Sequence, residues 1–242
     1  MKVPVGFALD HRVQSKALLH RALIGLILIM LVPPGFTVGS HAAVDKLVED
    51  WKSYAPGSVG LPGEWTFYRG FPSPKQLPVV VNDAGRPALR LKTDNSSIRM
   101  ALKVDIDLTK TPVLRWNWKA VTLPRLGNAQ SAVNDQVARV FLIFGSALSA
   151  KGLGYIWDTA APVGTVTTNT HTLLERRLLV VRSGSAGVGA WQTEMRNVLD
   201  DYKKLFGSAP GHIRAVGIES HSEDAHHTSE ALFGALSFTT AQ

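Results

Sequence analysis

The chain of 242 residues contains no cysteine. A disulfide framework, a thiolate metal site and a thiol nucleophile are thereby excluded, and stability must come from core packing. It also lacks any run of clustered Lys and Arg: the formal net charge of +7 is spread along the sequence. Binding to a phosphate backbone needs clustered cations, so nucleic acid is not an expected partner. There is no Gly-x-Ser-x-Gly elbow, phosphate-cradling loop, His-Glu-x-x-His pair or dinucleotide fingerprint. Gly184, Gly187 and Gly189 follow no nucleotide-binding rule and read as a turn. Internal repeats and low-complexity tracts are absent as well.

Long hydrophobic runs are missing but for the stretch Ala22 to Val32, which follows the basic residues Lys2, Arg12, Lys16 and Arg21. As a helix it would cover about 16 Å, roughly half a hydrocarbon core, and Pro33-Pro34 interrupts it. With small residues at Ser40 and Ala42, residues 1–42 read as a signal peptide cleaved after Ala42. An uncleaved anchor is the alternative. On the first reading the membrane is met only in transit, and the protein is exported to the periplasm or beyond. Removing four leader bases and the acid Asp10 leaves +4 on the mature chain.

What is present is mostly alternation. Val44, Leu47, Val48 and Trp51 suggest a short helix within a lead-in of residues 43–61. Beyond it the period becomes two. Leu89 and Leu91 alternate with Arg90 and Lys92, and Ile98 to Ile106 alternates with Arg99, Ala101, Lys103 and Asp105. The turn cluster Asp94-Asn95-Ser96-Ser97 between them predicts a hairpin. Further strands are expected at 64–70, 112–121, 136–145, 153–157, 177–183, 212–220 and 232–239. Val137 to Phe144 is apolar on both faces except for Arg139, the mark of a central strand. Trp191, Met195, Val198, Tyr202 and Leu205 predict an amphipathic helix over 191–206, ending at Gly207. The expected fold is mainly β: a two-sheet antiparallel β-sandwich, jelly-roll-like, over residues 62–242.

Several ordered motifs, Arg115-Trp116-Asn117-Trp118, Asn134-Asp135-Gln136-Val137-Ala138-Arg139-Val140, Tyr155-Ile156-Trp157, Trp191 with Glu194-Met195-Arg196-Asn197-Val198, Asp201-Tyr202 and Phe206-Gly207, together resemble the bacterial domain-of-unknown-function 3047 family over roughly residues 62–239. The resemblance implies an exported bacterial protein and brings no activity with it. This chain differs from the family's pattern in reading Asn134-Asp135 where paired aspartates are usual. It also reads Ser222 to Thr228 where an Asp-x-Asp-x-Thr loop is usual.

Candidate binding residues fall into groups. Trp116 and Trp118, two apart on a strand, share one face: open, they form a stacking platform for sugar rings, and closed, they are core. Trp157 is a further aromatic of this kind. Asp135 and Arg139 share the odd face of their strand, and a buried Arg139 would need a carboxylate, with Glu194 or Asp201 on the 191–206 helix as the expected partner. Glu194, Arg196, Asn197 and Asp201 crowd that helix, where paired carboxylates could serve glycoside hydrolysis or simply form ion pairs. Glu223, Asp224 and His226 lie in the segment richest in potential metal ligands. No cofactor is expected, with calcium the candidate should a hard cation bind there. The leading expectation is a non-catalytic module binding a glycan or another envelope component. A carbohydrate-active enzyme using Asp135, Glu194 or Asp201 and an envelope interaction scaffold are the alternatives.

Overall fold

The computed structural model describes residues 46–68, 71–145, 149–169 and 175–240. The leader and Val44 lie outside these residues. Among the described residues no helix is long and apolar enough to cross a membrane. Thirteen strands and one helix follow in order: β1 (Lys46–Glu49), β2 (Thr66–Phe67), β3 (Val79–Asp83), β4 (Arg86–Asp94), β5 (Ser97–Ile106), β6 (Val113–Thr122), β7 (Ala138–Phe144), β8 (Lys151–Asp158), β9 (Val166–Asn169), β10 (Glu175–Ser183), β11 (Gln192–Asn197), α1 (Val198–Phe206), β12 (Ile213–His221) and β13 (Thr228–Thr239).

These strands form two sheets. The first runs β11-β6-β13-β4-β3, with β1 beside the second half of β13, and the second runs β2-β5-β12-β7-β8-β10-β9. Alternation decides which side chains meet between them. Leu89, Leu91, Trp116, Trp118, Phe233 and Phe238 of the first sheet face Ile98, Met100, Val140, Leu142, Tyr155, Trp157 and Ile218 of the second in one core. The expected sandwich is therefore observed, with β7 central as its pattern predicts. One pairing departs from the antiparallel expectation, since β8 and β10 run parallel with β9 folded back on the far side.

Three local expectations are corrected. Residues 46–49 are a strand, not a helix: they pair with β13, and Trp51 then turns at φ 62 to bury its indole, donating Nε1–H to the Gly234 carbonyl at 3.0 Å. The Leu47/Val48 spacing is that of a helix, but β13 offers the backbone an edge, and tertiary pairing outweighs local propensity. The helix proposed for 191–206 exists only from Val198. Residues 192–197 instead pair with β6, which places Glu194 opposite Trp116. Asn197 is the N-cap, its side chain accepting from Asp200 N at 3.2 Å, and Gly207 closes the helix at φ 68 as expected.

The third correction concerns β4 and β5, which do not form a hairpin. β4 pairs with β3 and β13 while β5 pairs with β2 and β12, so the 94–97 turn crosses between the sheets. The 222–227 turn does the same for β12 and β13. The two crossings are tied together, with Asn95 N donating to the His227 carbonyl at 2.8 Å and Ser222 N to the Ser96 carbonyl at 2.9 Å. Buried hydroxyls continue the seam, Ser222 Oγ to Thr93 Oγ1 at 2.8 Å and Ser220 Oγ to Ser229 Oγ at 3.1 Å.

Candidate ligand site on the outer face of the second sheet

The second sheet has two faces, and β12 shows how they differ. Its even positions Val216 and Ile218 enter the core, so Ala215, Gly217, Glu219 and His221 point outward, yet Glu219 is fully buried and His221 is 5% exposed. Register explains the company Glu219 keeps: it lies opposite Arg99 on β5 and opposite Arg139 on β7. A row of charge thus crosses three neighbouring strands. Small residues clear the space above the next row. A side chain at Gly217 would strike the Tyr68 hydroxyl, and one at Gly154, in register with it through Phe141, would strike Leu178 and crowd the Phe141 ring.

Arg139 donates to Glu219 Oε2 at 2.8 Å and also to Gln136 Oε1. His221 Nε2 lies 2.9 Å from the same Glu219 oxygen, while Nδ1 faces Arg99 Nη2 at 3.4 Å. That arrangement suits a neutral imidazole, donating from Nε2 and accepting at Nδ1. Burial and the Arg139 and Arg99 charges lower its pKa to about 4, against the pull of Glu219. Burial alone would raise Glu219, but the Arg139 charge and the His221 hydrogen bond hold it well below the usual carboxylate range. Arg99 also donates to Glu223, and against burial His221 and Arg99 lower that carboxyl too. Tyr68, pushed up by burial and then by the Glu219 charge, completes the group.

The network is not closed. Tyr68 Oη, Arg139 Nε, Arg176 Nε, Glu219 Oε1 and Glu223 Oε2 are buried without a hydrogen-bond partner of good geometry, although Tyr68 lies close enough to Glu219, and Ser97 to Glu223, to affect protonation. Among the described residues the only other such side-chain atom is Trp116 Nε1. An unpaired buried polar atom costs about 1–3 kcal/mol, so their concentration on one face sets this ground apart as the candidate site. Phe71 lies over this ground, its ring 4.6 Å from the Arg99 guanidinium and 5.9 Å from that of Arg176. A pocket of about 240 Å³ opens beside it, bounded by Pro72, Lys75, Ser97, Arg99 and Glu223.

The residues singled out from sequence are distributed differently from expectation. Arg139 is a buried ion-pair node, but its partner is Glu219 rather than Glu194 or Asp201. Asp135 does not share a strand face with Arg139. It precedes β7, where its carboxylate accepts from Ala225 N at 2.7 Å and Asp224 N at 3.3 Å, while Asp224 accepts from Asn134 N at 3.0 Å. Burial raises the Asp135 pKa, with those two amides opposing. Of the metal candidates, Asp224 thus clasps the 134–136 segment, Glu223 pairs with Arg99 and His226 Nδ1 sits 2.8 Å from Asn95 Oδ1. Among the described residues, no three His, Asp or Glu groups converge as a cation site requires.

Trp116, Trp118 and Trp157 are all fully buried, which closes the platform they could have formed. Trp116 stacks on Tyr155 at 5.2 Å and meets Trp118 edge-on at 5.4 Å. Glu194, Arg196 and Asp201 line a second pocket of about 380 Å³ at the β10–β11 edge, together with Val163, Val166 and Met195. Their polar atoms serve the core beneath. Glu194 accepts from Trp118 Nε1 at 3.1 Å and pairs with Arg182, while Asp201 accepts from Tyr155 Oη and from Arg196 Nε, each at 2.9 Å.

Glu219 and His221 belong to the same segment, rich in potential metal ligands, as Glu223, Asp224 and His226, and no motif in the sequence points to Tyr68, Phe71 or Arg176. One signal was available: Glu219 is a lone acid in an apolar strand, complementary to the lone cation Arg139 in another.

Comparison with solved structures finds the family 30 carbohydrate-binding module of the cellulosomal cellulase CEL9D-CEL44B of Clostridium thermocellum, 13% identical over 82% of this chain and 99% of that one, with a TM-score of 0.43. It also finds the xyloglucanase domain of NopAA, a type three effector from Sinorhizobium fredii, at 12% identity over 78% of this chain and 98% of that one, TM-score 0.41. No curated protein matches. The family of proteins of unknown function DUF3047 matches residues 74–237, from just before β3 to near the end of β13, and this chain belongs to that family.

Proposed function

We propose that the protein is an exported, non-catalytic glycan-binding module whose ligand enters at the Arg99–Glu223 pocket and is read by the polar row behind it. The observation that carries this is the mixed character of the unpartnered atoms. Arg139 Nε and Arg176 Nε can only donate, Glu219 Oε1 and Glu223 Oε2 can only accept, and Tyr68 Oη can do either. A metal ion would satisfy the carboxylates and be repelled by the guanidiniums; a phosphate would do the reverse. Sugar hydroxyls donate and accept, and so match both. A pocket of about 240 Å³ suits one ring or a chain end, being smaller than the roughly 300–1,000 Å³ that holds drug-sized ligands.

Binding without hydrolysis is supported by the carboxyl groups. A glycosidase keeps one carboxyl protonated near neutral pH by raising its pKa. Glu219 and Glu223 are both shifted the opposite way, Glu194 and Asp201 are held by arginines, and Asp135, the carboxyl that burial does raise, is fully buried with its two oxygens taken by the Asp224 and Ala225 amides. Export is supported by the leader, and N-terminal sequencing of protein recovered from the periplasm or medium should begin at Ala43.

Calorimetric titration of the full-length protein against a panel of neutral and acidic oligosaccharides tests the binding. At least one should bind and release no reducing ends. Glu223→Gln should weaken it by about tenfold or more, as expected for one charge-assisted hydrogen bond of about 1.4 kcal/mol. Silence of the folded protein across the panel would overturn the reading.

A further inference from the structure

The charges on the outer face of the second sheet do not balance. Arg99 is matched by Glu223 and Arg139 by Glu219, while His221 contributes none in its neutral form. Arg176 is left over. Among the described residues it has neither a carboxylate nor a hydrogen-bond partner, and its Nε is buried. This is not the habit of its strand: its neighbour Arg177 pairs with Glu175 at 2.8 Å, and Lys151 reaches the same carboxylate at 3.6 Å. Nor does the sequence of the three short internal stretches outside the described residues, 69–70, 146–148 and 170–174, contain an acid.

The Arg176 guanidinium is nonetheless held in place, 5.2 Å from the Phe141 ring centre and 5.9 Å from that of Phe71, the ring that Arg99 approaches from 4.6 Å. Arg139, beneath, feels the repulsion of both Arg176 and Arg99. Among the described residues, three guanidiniums are thus gathered around two carboxylates, with a net excess of one positive charge and with unpartnered Nε–H groups on two of them. The edge of a guanidinium formed by Nε and one Nη is the side that takes a carboxylate through two parallel hydrogen bonds.

We propose that the glycan is acidic: a uronic-acid unit whose carboxylate is bound by Arg176, with its hydroxyls on Glu219, Glu223 and Tyr68. This rests on the glycan-binding reading above and narrows it. A single negative charge flanked by hydroxyls satisfies the excess cation and the orphaned acceptors together. Inorganic phosphate or sulfate would bring no flanking hydroxyl donors to Glu219 and Glu223 and would face their charge, and an ester of either on a sugar would offer the guanidinium edge a tetrahedral group in place of the planar carboxylate.

The test is titration of the full-length protein with oligogalacturonate, oligomannuronate and oligoglucuronate, each beside its carboxyl-reduced neutral counterpart. At least one acidic form should bind about tenfold or more tighter than its neutral partner, with the preference shrinking as salt rises. Arg176→Gln should abolish the preference, the acidic form losing about tenfold or more in affinity and the neutral form distinctly less, and Arg176→Lys, which keeps the charge but not the paired hydrogen bonds, should fall between. Equal binding of acidic and reduced forms overturns the acidic assignment and leaves the glycan reading intact. Binding of neither form overturns both. A preference that survives in a folded Arg176→Gln protein removes Arg176 from the site. Should that variant fail to fold, Arg176→Lys decides by the same comparison.

Discussion

Two arginine–carboxylate regions of this sandwich invite comparison. At the β10–β11 edge, Arg182–Glu194 and Arg196–Asp201 lie beside the larger pocket, yet their carboxylates are spent on Trp118 and Tyr155. On the outer face of the second sheet, Arg99–Glu223 lines the smaller pocket, Arg139–Glu219 lies in the same row of charge, and buried donors and acceptors are left unmet. Volume points to the first region and hydrogen-bond satisfaction to the second. A completed network explains itself as architecture, whereas an incomplete one needs a further participant.

The comparison can be broken most severely at Arg139. Arg139→Ala leaves Glu219 charged and buried, and chemical denaturation should show a loss of about 3–5 kcal/mol. An unchanged midpoint would mean that the pair contributes little to the fold. Acid should act on the same region without mutation. His221, faced by Glu219, Arg139, Arg99 and Glu223, takes a proton near 6.5 when unfolded but only near 4 when folded. Between those values the unfolded state binds more protons, so stability falls as pH drops, by on the order of 3 kcal/mol across the window. His221→Gln should flatten that slope, and Glu219 adds a further loss below the ordinary carboxylate range as it is forced to protonate.

Smaller effects are expected at the edge. Glu194→Gln removes the charge that Arg182 and the Trp118 indole share and should cost about 1–3 kcal/mol without altering glycan affinity. A change in affinity instead would transfer the ligand to the larger pocket. Asn197→Ala removes the α1 cap and should cost about 1 kcal/mol. Acrylamide quenching sharpens the contrast further: Trp51, Trp116, Trp118 and Trp157 should be shielded with or without ligand, and partly exposed Trp191 should account for most of the quenched emission.

Much of the fold was legible because strand alternation directly reports burial. The apolar run of β7, the alternation of β5 and the Gly207 stop all describe local geometry that the structure retains. What eluded reading was partnership. Leu89–Leu91 and Ile98–Ile106 look like a hairpin because a turn cluster joins them, but nothing local states that the chain changes sheets at Asn95. Met195 falls on the helical period of Val198 and Tyr202, and only the free edge of β6 turns it into strand. The site was missed for the same reason: Arg99, Arg139 and Glu219 are brought into one row by register across β5, β7 and β12, a relation spread over more than a hundred residues. Arg139 itself could be recognised as needing a carboxylate; which carboxylate could not.

The position of the last two strands carries a consequence for how the chain comes to be folded at all. β12 lies between β5 and β7, and β13 lies between β6 on one side and β4 and β1 on the other, so one interior strand of each sheet comes from the end of the described chain. Neither sheet can close around its middle until Ile213–Thr239 has been synthesised. Contacts of such long sequence separation are slow to form. Before then the earlier strands can pair only as separate ribbons, β2 with β5, β3 with β4, β6 with β11 and β7 through β8 and β10 to β9, and truncation before β12 should leave both sheets split in two rather than trim one.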